Sequence, residues 1–389
     1  MKPVERRITL LLAFVALVQA CTSDKGLVGP TASKKLAADA ADEQPQYGPW
    51  SAPVNLGPVI NSGSNEQHPA ISKDGLSLYF ASDRTGAGGL GGLDIYVSQR
   101  ACTDTDDPAC AWQAPANLGP NVNSAGNDLA PTFSPDGHWL YFHSNGRGGC
   151  GGADLFVSHR HDKRDDFGWE PAENLGCVVN SAFNDAGPTI FEDEATGVTT
   201  LYFTVQNNPP TSDQGFDIYA STCIGDEGAF GPPALVPELS SPYRDTRTAI
   251  RRDGLEIFLS SGRPGDDLVG HSAGSEDLWV STRATTSDVW SPPLNLNLVN
   301  QQLGGPPINS PAFDGAPALS FDGTTLYFFS DRTDLGGFGK RDLYVTTRTR
   351  LGGAEMAERA EDTSRRLERN GRGCCSIHLS YGRAVVRTT

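Results

Sequence analysis

The sequence predicts an all-β protein, a five-bladed β-propeller with four-stranded antiparallel blades whose ring is closed by the N-terminal strand. Three observations lead there. A unit opening near the form W-x-x-P-x-N-L recurs at Trp50, Trp112, Trp169, Phe230 and Trp290, at spacings of 62, 57, 61 and 60 residues; a long fixed period marks a repeat architecture. Each copy then carries an Asp-Gly turn or its remnant, at Asp74-Gly75, Asp136-Gly137, Asp193, Asp253-Gly254 and Asp322-Gly323, followed by an apolar strand ("LSLYFAS", "HWLYFHS", "TTLYFTV", "LEIFLSS", "TTLYFFS"). Last comes Asp with alternating residues ("DIYVS", "DLFVS", "DIYAS", "DLWVS", "DLYVT"), and no segment within the repeats has a 3.6-residue apolar period.

Every copy therefore offers four short strands of period two. A single four-stranded sheet cannot bury both faces, whereas radial stacking does so and leaves only short edges. A linear solenoid of the same unit needs polar end copies, and here the first and last copies are as apolar as the middle ones. The phase of the repeat sets the closure. The first copy begins with the spare strand "WSAPVNL" and the fifth ends at "DLYVTTR" without an outer strand, so residues 50 to 56 should complete the last blade by pairing with 342 to 347. Each blade then runs from an inner strand A ("HPAIS"), through B ("LYFAS") and C ("DIYVS"), to an outer strand D from the next copy.

These repeats resemble a known family. "SPDGHWLYFHS" followed by "DLFVS", and "SKDGLSLYFASDR" followed by "DIYVSQR", are similar to the WD-like propeller repeats of TolB-type periplasmic proteins, and to envelope proteins that join such repeats to an OmpA-like domain. The resemblance covers about residues 47–348 and implies the fold. It says little of activity, because the repeated residues are those that build a blade.

The flanks read differently. Lys2, Arg6 and Arg7 precede an apolar run from Ile8 to Val18, too short to span a bilayer, and Val18-Gln19-Ala20-Cys21 closes it. That order resembles a bacterial lipoprotein signal (1–20) with lipidation at Cys21, so the protein is expected to be exported and lipid-anchored in the cell envelope, at the outer membrane or facing the periplasm. Residues 21–46 read as a flexible tether and 349–389 as a mostly disordered tail. With 38% hydrophobic residues, 44 Gly, 27 Pro and two Met, the body is turn-rich and globular. A net charge of −16 argues against nucleic acid or anionic lipid as partner. Of the eight cysteines, export makes Cys102–Cys110 the first expected disulfide and Cys150–Cys177 the second, leaving Cys223 over.

The loops from D to A and from B to C emerge on one face of the ring. One carboxylate precedes each inner strand there: Glu66, Asp128, Asp185, Asp245 and Asp314. As candidate binding groups they ring a channel mouth with Arg84 and Arg332, and the crowding of like charge would suit a cation. As construction residues they bond backbone N–H groups of their own turns, while Arg84, Arg147, Arg263 and Arg332 staple blades; the repetition favours this second reading. Gly86-x-Gly88-x-x-Gly91 lies between strands, so it is not a dinucleotide site. His159 and His161 alternate in "SHRHD" without a third ligand nearby in sequence. No metal or cofactor is expected, and the chain shows no nucleophile elbow or zincin motif.

Two functions are left open. The first is a non-enzymatic, monomeric scaffold that binds an envelope protein or cell-wall glycan. The second is a glycan-binding or glycan-processing propeller, which needs two carboxylates in different roles. Symmetry separates them: catalytic groups should depart from the repeat, whereas the acids here recur once per blade, so the non-enzymatic reading is the one expected and the glycan-processing one its alternative.

Overall fold

The computed structural model describes residues 47–86, 88–206, 215–224, 229–265 and 275–352. The signal, Cys21, the tether, and the tail from residue 353 on, with Cys374 and Cys375, lie outside the described residues. The described chain is a five-bladed propeller of four-stranded antiparallel sheets. Blade one comprises β2 (Glu66–Ile71), β3 (Ser77–Ser82), β4 (Asp94–Gln99) and β5 (Ala116–Asn117); blade two comprises β6 (Asp128–Phe133), β7 (Trp139–Ser144), β8 (Asp154–His159) and β9 (Glu173–Asn174). Blade three has β10 (Asn184–Asp193), β11 (Val198–Gln206), β12 (Phe216–Ile224) and β13 (Ala234–Leu235), and blade four has β14 (Asp245–Ile250), β15 (Glu256–Ser261), β16 (Asp277–Thr282) and β17 (Leu294–Asn295). A short helix, α1 (Leu296–Gln302), leads into blade five, which has β18 (Asp314–Leu319), β19 (Thr325–Ser330) and β20 (Asp342–Thr347). Its outer strand is β1 (Val54–Asn55), with Val54 opposite Val345 and Asn55 opposite Tyr344.

The turn residues explain the strand lengths. Gly75, Gly137, Gly254 and Gly323 take φ of 71–81° in the A–B turns, where a side chain would be strained. In the third copy Asp193 is followed by Glu194-Ala195-Thr196-Gly197, and the positive φ moves out to Gly197 (φ 68°). There β10 and β11 extend to ten and nine residues, against six in the other inner pairs.

The blades pack through strand B residues such as Tyr79, Phe142, Phe203, Phe258 and Phe328, all buried. Each inner strand contacts the next, and β18 returns to β2, closing the ring. A second staple recurs at the periphery. The arginine after strand C stacks on the Trp that opens strand D: Arg100 on Trp112, Arg160 on Trp169, Arg283 on Trp290 and Arg348 on Trp50, at 4.2–4.4 Å from the ring. Its Nε donates to the carbonyl of the A–B turn glycine at 2.6–3.0 Å. In blade three Cys223 and Phe230 hold these two places, so that blade lacks both the arginine and the tryptophan of this staple.

The disulfides are local. Cys102 and Cys110 are joined with Cα atoms 4.7 Å apart, and Cys150 and Cys177 with Cα atoms 5.5 Å apart. Among the described residues Cys223 is free and partly buried, which raises its thiol pKa.

Candidate functional site

The five repeated carboxylates face inward. Glu66, Asp128, Asp185, Asp245 and Asp314 are each 0% exposed, so they do not ring an open mouth. Each braces the turn leading into its strand: the backbone N–H of Ser62, Ser124, Ser181, Ser241 or Ser310 donates to it at 2.6–2.8 Å, and the same serine's hydroxyl donates as well. In four blades an arginine joins the network. Arg84 lies 3.1 Å from Glu66, Arg147 3.8 Å from Asp128 and Arg263 2.6 Å from Asp245, and Arg332 is paired with Asp314. Arg84, Arg263 and Arg332 also donate to the D–A turn carbonyls of Ile60, Leu239 and Ile308 at 2.6–2.7 Å. Arg84 and Arg332 are therefore tied into their own blades.

Blade three is the exception. Asp185 makes no ion pair among the described residues, its Oδ1 is buried without a partner, and burial pushes its carboxyl up to about 6, aided by the neighbouring charge of Asp154. A pKa raised in the folded state gives stability below the unfolded value that is lost as pH rises to the folded one. Asp185→Asn keeps an oxygen to accept from Ser181 and removes that loss. The variant should match the parent at pH 4 and be more stable at pH 7, by up to about 3 kcal/mol; denaturant titrations at the two pH values check it, and equal stability at pH 7 would refute the assignment.

Departures from the repeat gather on the axis. Each inner strand slips register at one place, and the residue there takes positive φ: His68 (53°), Ala130 (58°), Gly187 (61°), Arg247 (43°) and Ala316 (51°). Among the described residues the four other than Gly187 are the only non-glycine positions with positive φ, each at a cost of about 1 kcal/mol. The slip recurs in every blade and so belongs to the fold; what departs from the repeat is the side chain placed there, His68 and Arg247 against Ala or Gly in the other three. Arg247, 5% exposed, reaches across the axis from blade four to blade two and donates to the carbonyls of Ala130 at 2.9 Å and Pro131 at 3.0 Å. Gly187 leaves it room, since a Cβ there would stand 3.2 Å from the Arg247 Cδ.

Arg247 thus divides the axis. On the A–B turn face lies a funnel of about 170 Å³ lined by the inner strands of all five blades, with Lys73 and Arg252 over the ring of Phe321 at 4.3 and 4.5 Å. On the other face a cavity of about 210 Å³ is lined by His68, Arg244, Thr246, Arg247, Glu276, Phe313, Ala316, Phe329 and Arg341. Glu276 is 2% exposed and ion-paired with Arg244, and accepts from the Thr246 hydroxyl at 2.8 Å; burial raises its carboxyl despite Arg244. His68 and, behind it, His143 meet edge to face at 6.3 Å, and burial with the Arg247 charge keeps both imidazoles neutral, His143 down to about 3. Burial also lowers Arg247 to about 9, so it is charged at neutral pH.

The sequence held a signal for this cluster. Glu276 and Arg341 stand where the other copies have Leu93, Ala153 and Phe216, and His68 and Arg247 where the others have Ala130, Gly187 and Ala316. The structure also brings Glu170 to His159 and His161, at 3.5 and 3.2 Å, a neighbour not visible from spacing. These three groups sit at the outer edge of blade two, far in the chain from the axial set, with His161 88% exposed.

No family model and no curated protein matches the chain. Solved structures do match it. The α-L-arabinofuranosidase of Lactobacillus brevis is 15% identical, with TM-score 0.48, over 77% of this chain and 94% of its own. A GH43_1 enzyme of Xanthomonas citri complexed with xylose is 13% identical, with TM-score 0.48, over 82% and 95%. The catalytic domain of the GH62 α-L-arabinofuranosidase of Coprinopsis cinerea is 14% identical, with TM-score 0.46, over 79% and 98%. These are glycoside hydrolases. The family resemblance drawn from the repeats pointed to TolB-type and WD-like proteins, and the structures named here are glycoside hydrolases instead. The structures named here are of enzymes, against the expectation of a protein that is not one. At these identities the likeness is one of fold.

Proposed function

We propose that the protein is a glycan-processing propeller, glycosidase-like, with the axial cavity as its site and Glu276 as its proton donor. This takes the second of the two functions left open by the sequence. The observation that carries it is the position of Glu276: a carboxylate that breaks the repeat, lines the axial cavity and is raised by burial. A general acid in glycoside cleavage must hold its proton near working pH, which a water-poor setting provides. Thr246 and Arg244 fix the carboxyl's orientation from either side, and the Phe313 and Phe329 rings, stacked 5.2 Å apart, add an apolar wall. The described lining holds one carboxylate, so the proposal assigns the acid and assigns no nucleophile.

Release of reducing sugar from a panel of plant and bacterial polysaccharides tests it. Glu276→Gln keeps the shape of the side chain and should lower turnover by about 10²-fold or more, the usual worth of a general acid. Turnover unchanged in Glu276→Gln would remove Glu276 from the reaction, and no turnover of any glycan would leave only binding.

A further inference from the structure

We infer that the glycan seated in the axial cavity carries a carboxylate, as a uronic acid residue does, and that Arg341 and Arg247 recognise it. The inference rests on the reading of this cavity as a glycan site and names the substrate class. Three guanidinium groups, of Arg244, Arg247 and Arg341, line the cavity against the single carboxylate of Glu276. Glu276 lies against Arg244 and, whether it carries its proton as the acid or not, has no charge to spare for the other two. Among the described residues Arg247 and Arg341 make no ion pair.

Their hydrogen bonding points the same way. Arg247 spends its two terminal nitrogens on the carbonyls of Ala130 and Pro131, while its Nε is buried without a partner. The Nδ1 of His68, across the cavity, is also buried without a partner. Arg341 donates from Nη1 to Gln67 Oε1 at 2.6 Å and lies over the rings of Phe313 and Phe329 at 5.2 and 5.0 Å, which hold its plane. A buried guanidinium without an anion, as Arg247 is, is costly; Arg341 is half-buried and feels the charges of Asp331 and Glu276 without pairing with either, and a carboxylate supplies two acceptors in the geometry of the fork.

The charge of the whole chain narrows the class further. At a net charge of −16 the surface repels a polyanion. The fit is to a largely neutral glycan that bears a single uronic acid unit, which only the cavity meets.

The test uses a neutral oligosaccharide bearing one glucuronic acid unit and the same oligosaccharide with that carboxyl reduced to the alcohol. Calorimetry on the full chain should show the acid form binding roughly ten- to a hundredfold tighter, the worth of a charge-assisted fork. In Arg341→Gln that preference should collapse, and in Arg341→Lys it should be partly kept. The reduced sugar needs no variant, so the comparison stands even where a variant fails to fold. Equal affinity for the two sugars overturns the inference, as does displacement of the acid form by inorganic sulfate at comparable concentration. If the reduced sugar is bound and cleaved as well as the acid form, the glycan-processing reading holds and the carboxylate inference falls. If neither sugar binds at the cavity, both fall.

Discussion

Replacing Arg332 with alanine should cost about 3–5 kcal/mol of stability at pH 7, the usual loss when one partner of a buried ion pair is removed. Asp314 is 0% exposed and Arg332 6%, so water does not take over the vacated contact. Burial already holds the Asp314 carboxyl above its ordinary value although Arg332 opposes the shift, and without Arg332 it should rise further. The truncation also strips a donor from the Ile308 carbonyl at 2.7 Å and from the Ser330 hydroxyl at 3.0 Å, and removes the cation lying over Phe328 and Tyr344. A carboxyl whose folded pKa exceeds its unfolded value favours folding at low pH, so the variant should recover part of its loss between pH 7 and pH 5. Asp314→Asn added to Arg332→Ala should restore part of the stability at pH 7, because an amide carries no charge to strand. Urea titrations of the three proteins at both pH values decide it. A loss under about 1 kcal/mol without pH dependence would mean that the pair does not hold the blade.

Blade three supplies an internal comparison. It lacks the arginine, and its Asp185 is pushed up to about 6, the condition that Arg332→Ala would create in blade five. The two experiments, one removing a charge and one stranding it, should therefore move stability in opposite directions at pH 7.

What the sequence made legible was whatever repeats. Five Trp or Phe landmarks, five turns and five "LYF"-like strands gave the blade count, the strand order and the closure register, because a blade has the same local demands in every copy. Repetition also drew attention to the five carboxylates, and for the same reason these proved to be braces of their turns. The axial cluster was hidden by the same symmetry. His68 and Arg247 occupy a register slip that alternation does not reveal, and Glu276 and Arg341 sit just before strand C, where the other copies vary without pattern. A comparison of the copies with one another for charged exceptions would have found all four. That Arg247 spans the axis is different in kind: it depends on a glycine at 187 in another blade, a pairing that no single copy contains. Glu170 meeting His159 and His161 is likewise a consequence of strand D lying beside strand C.

Deleting Tyr47 to Gly57 should have the largest effect on folding, since it removes the strand that joins the two ends of the ring. Beyond the pairing of β1 with β20, this segment donates from Gly48 to the Thr349 carbonyl at 2.8 Å, from Ser51 to Thr347 at 2.7 Å and from Leu56 to Leu343 at 3.0 Å. Trp50, 3% exposed, packs edge to face on Phe258 at 5.9 Å and exchanges two hydrogen bonds with Asn300 of α1, so it ties blade five to blade four as well. Without it Arg348 would lose the ring beneath its guanidinium, and β20 would become a bare edge able to pair with another chain. The deletion should broaden the unfolding transition, separate the calorimetric from the van't Hoff enthalpy, and give concentration-dependent aggregates; Trp50→Ala, which keeps the ladder, should cost about 3–5 kcal/mol and stay cooperative. The difference between the two variants separates closure from packing, because only the deletion opens the ring. A deletion variant that melts in one sharp, concentration-independent transition would show that four blades and an open edge suffice to hold the fifth.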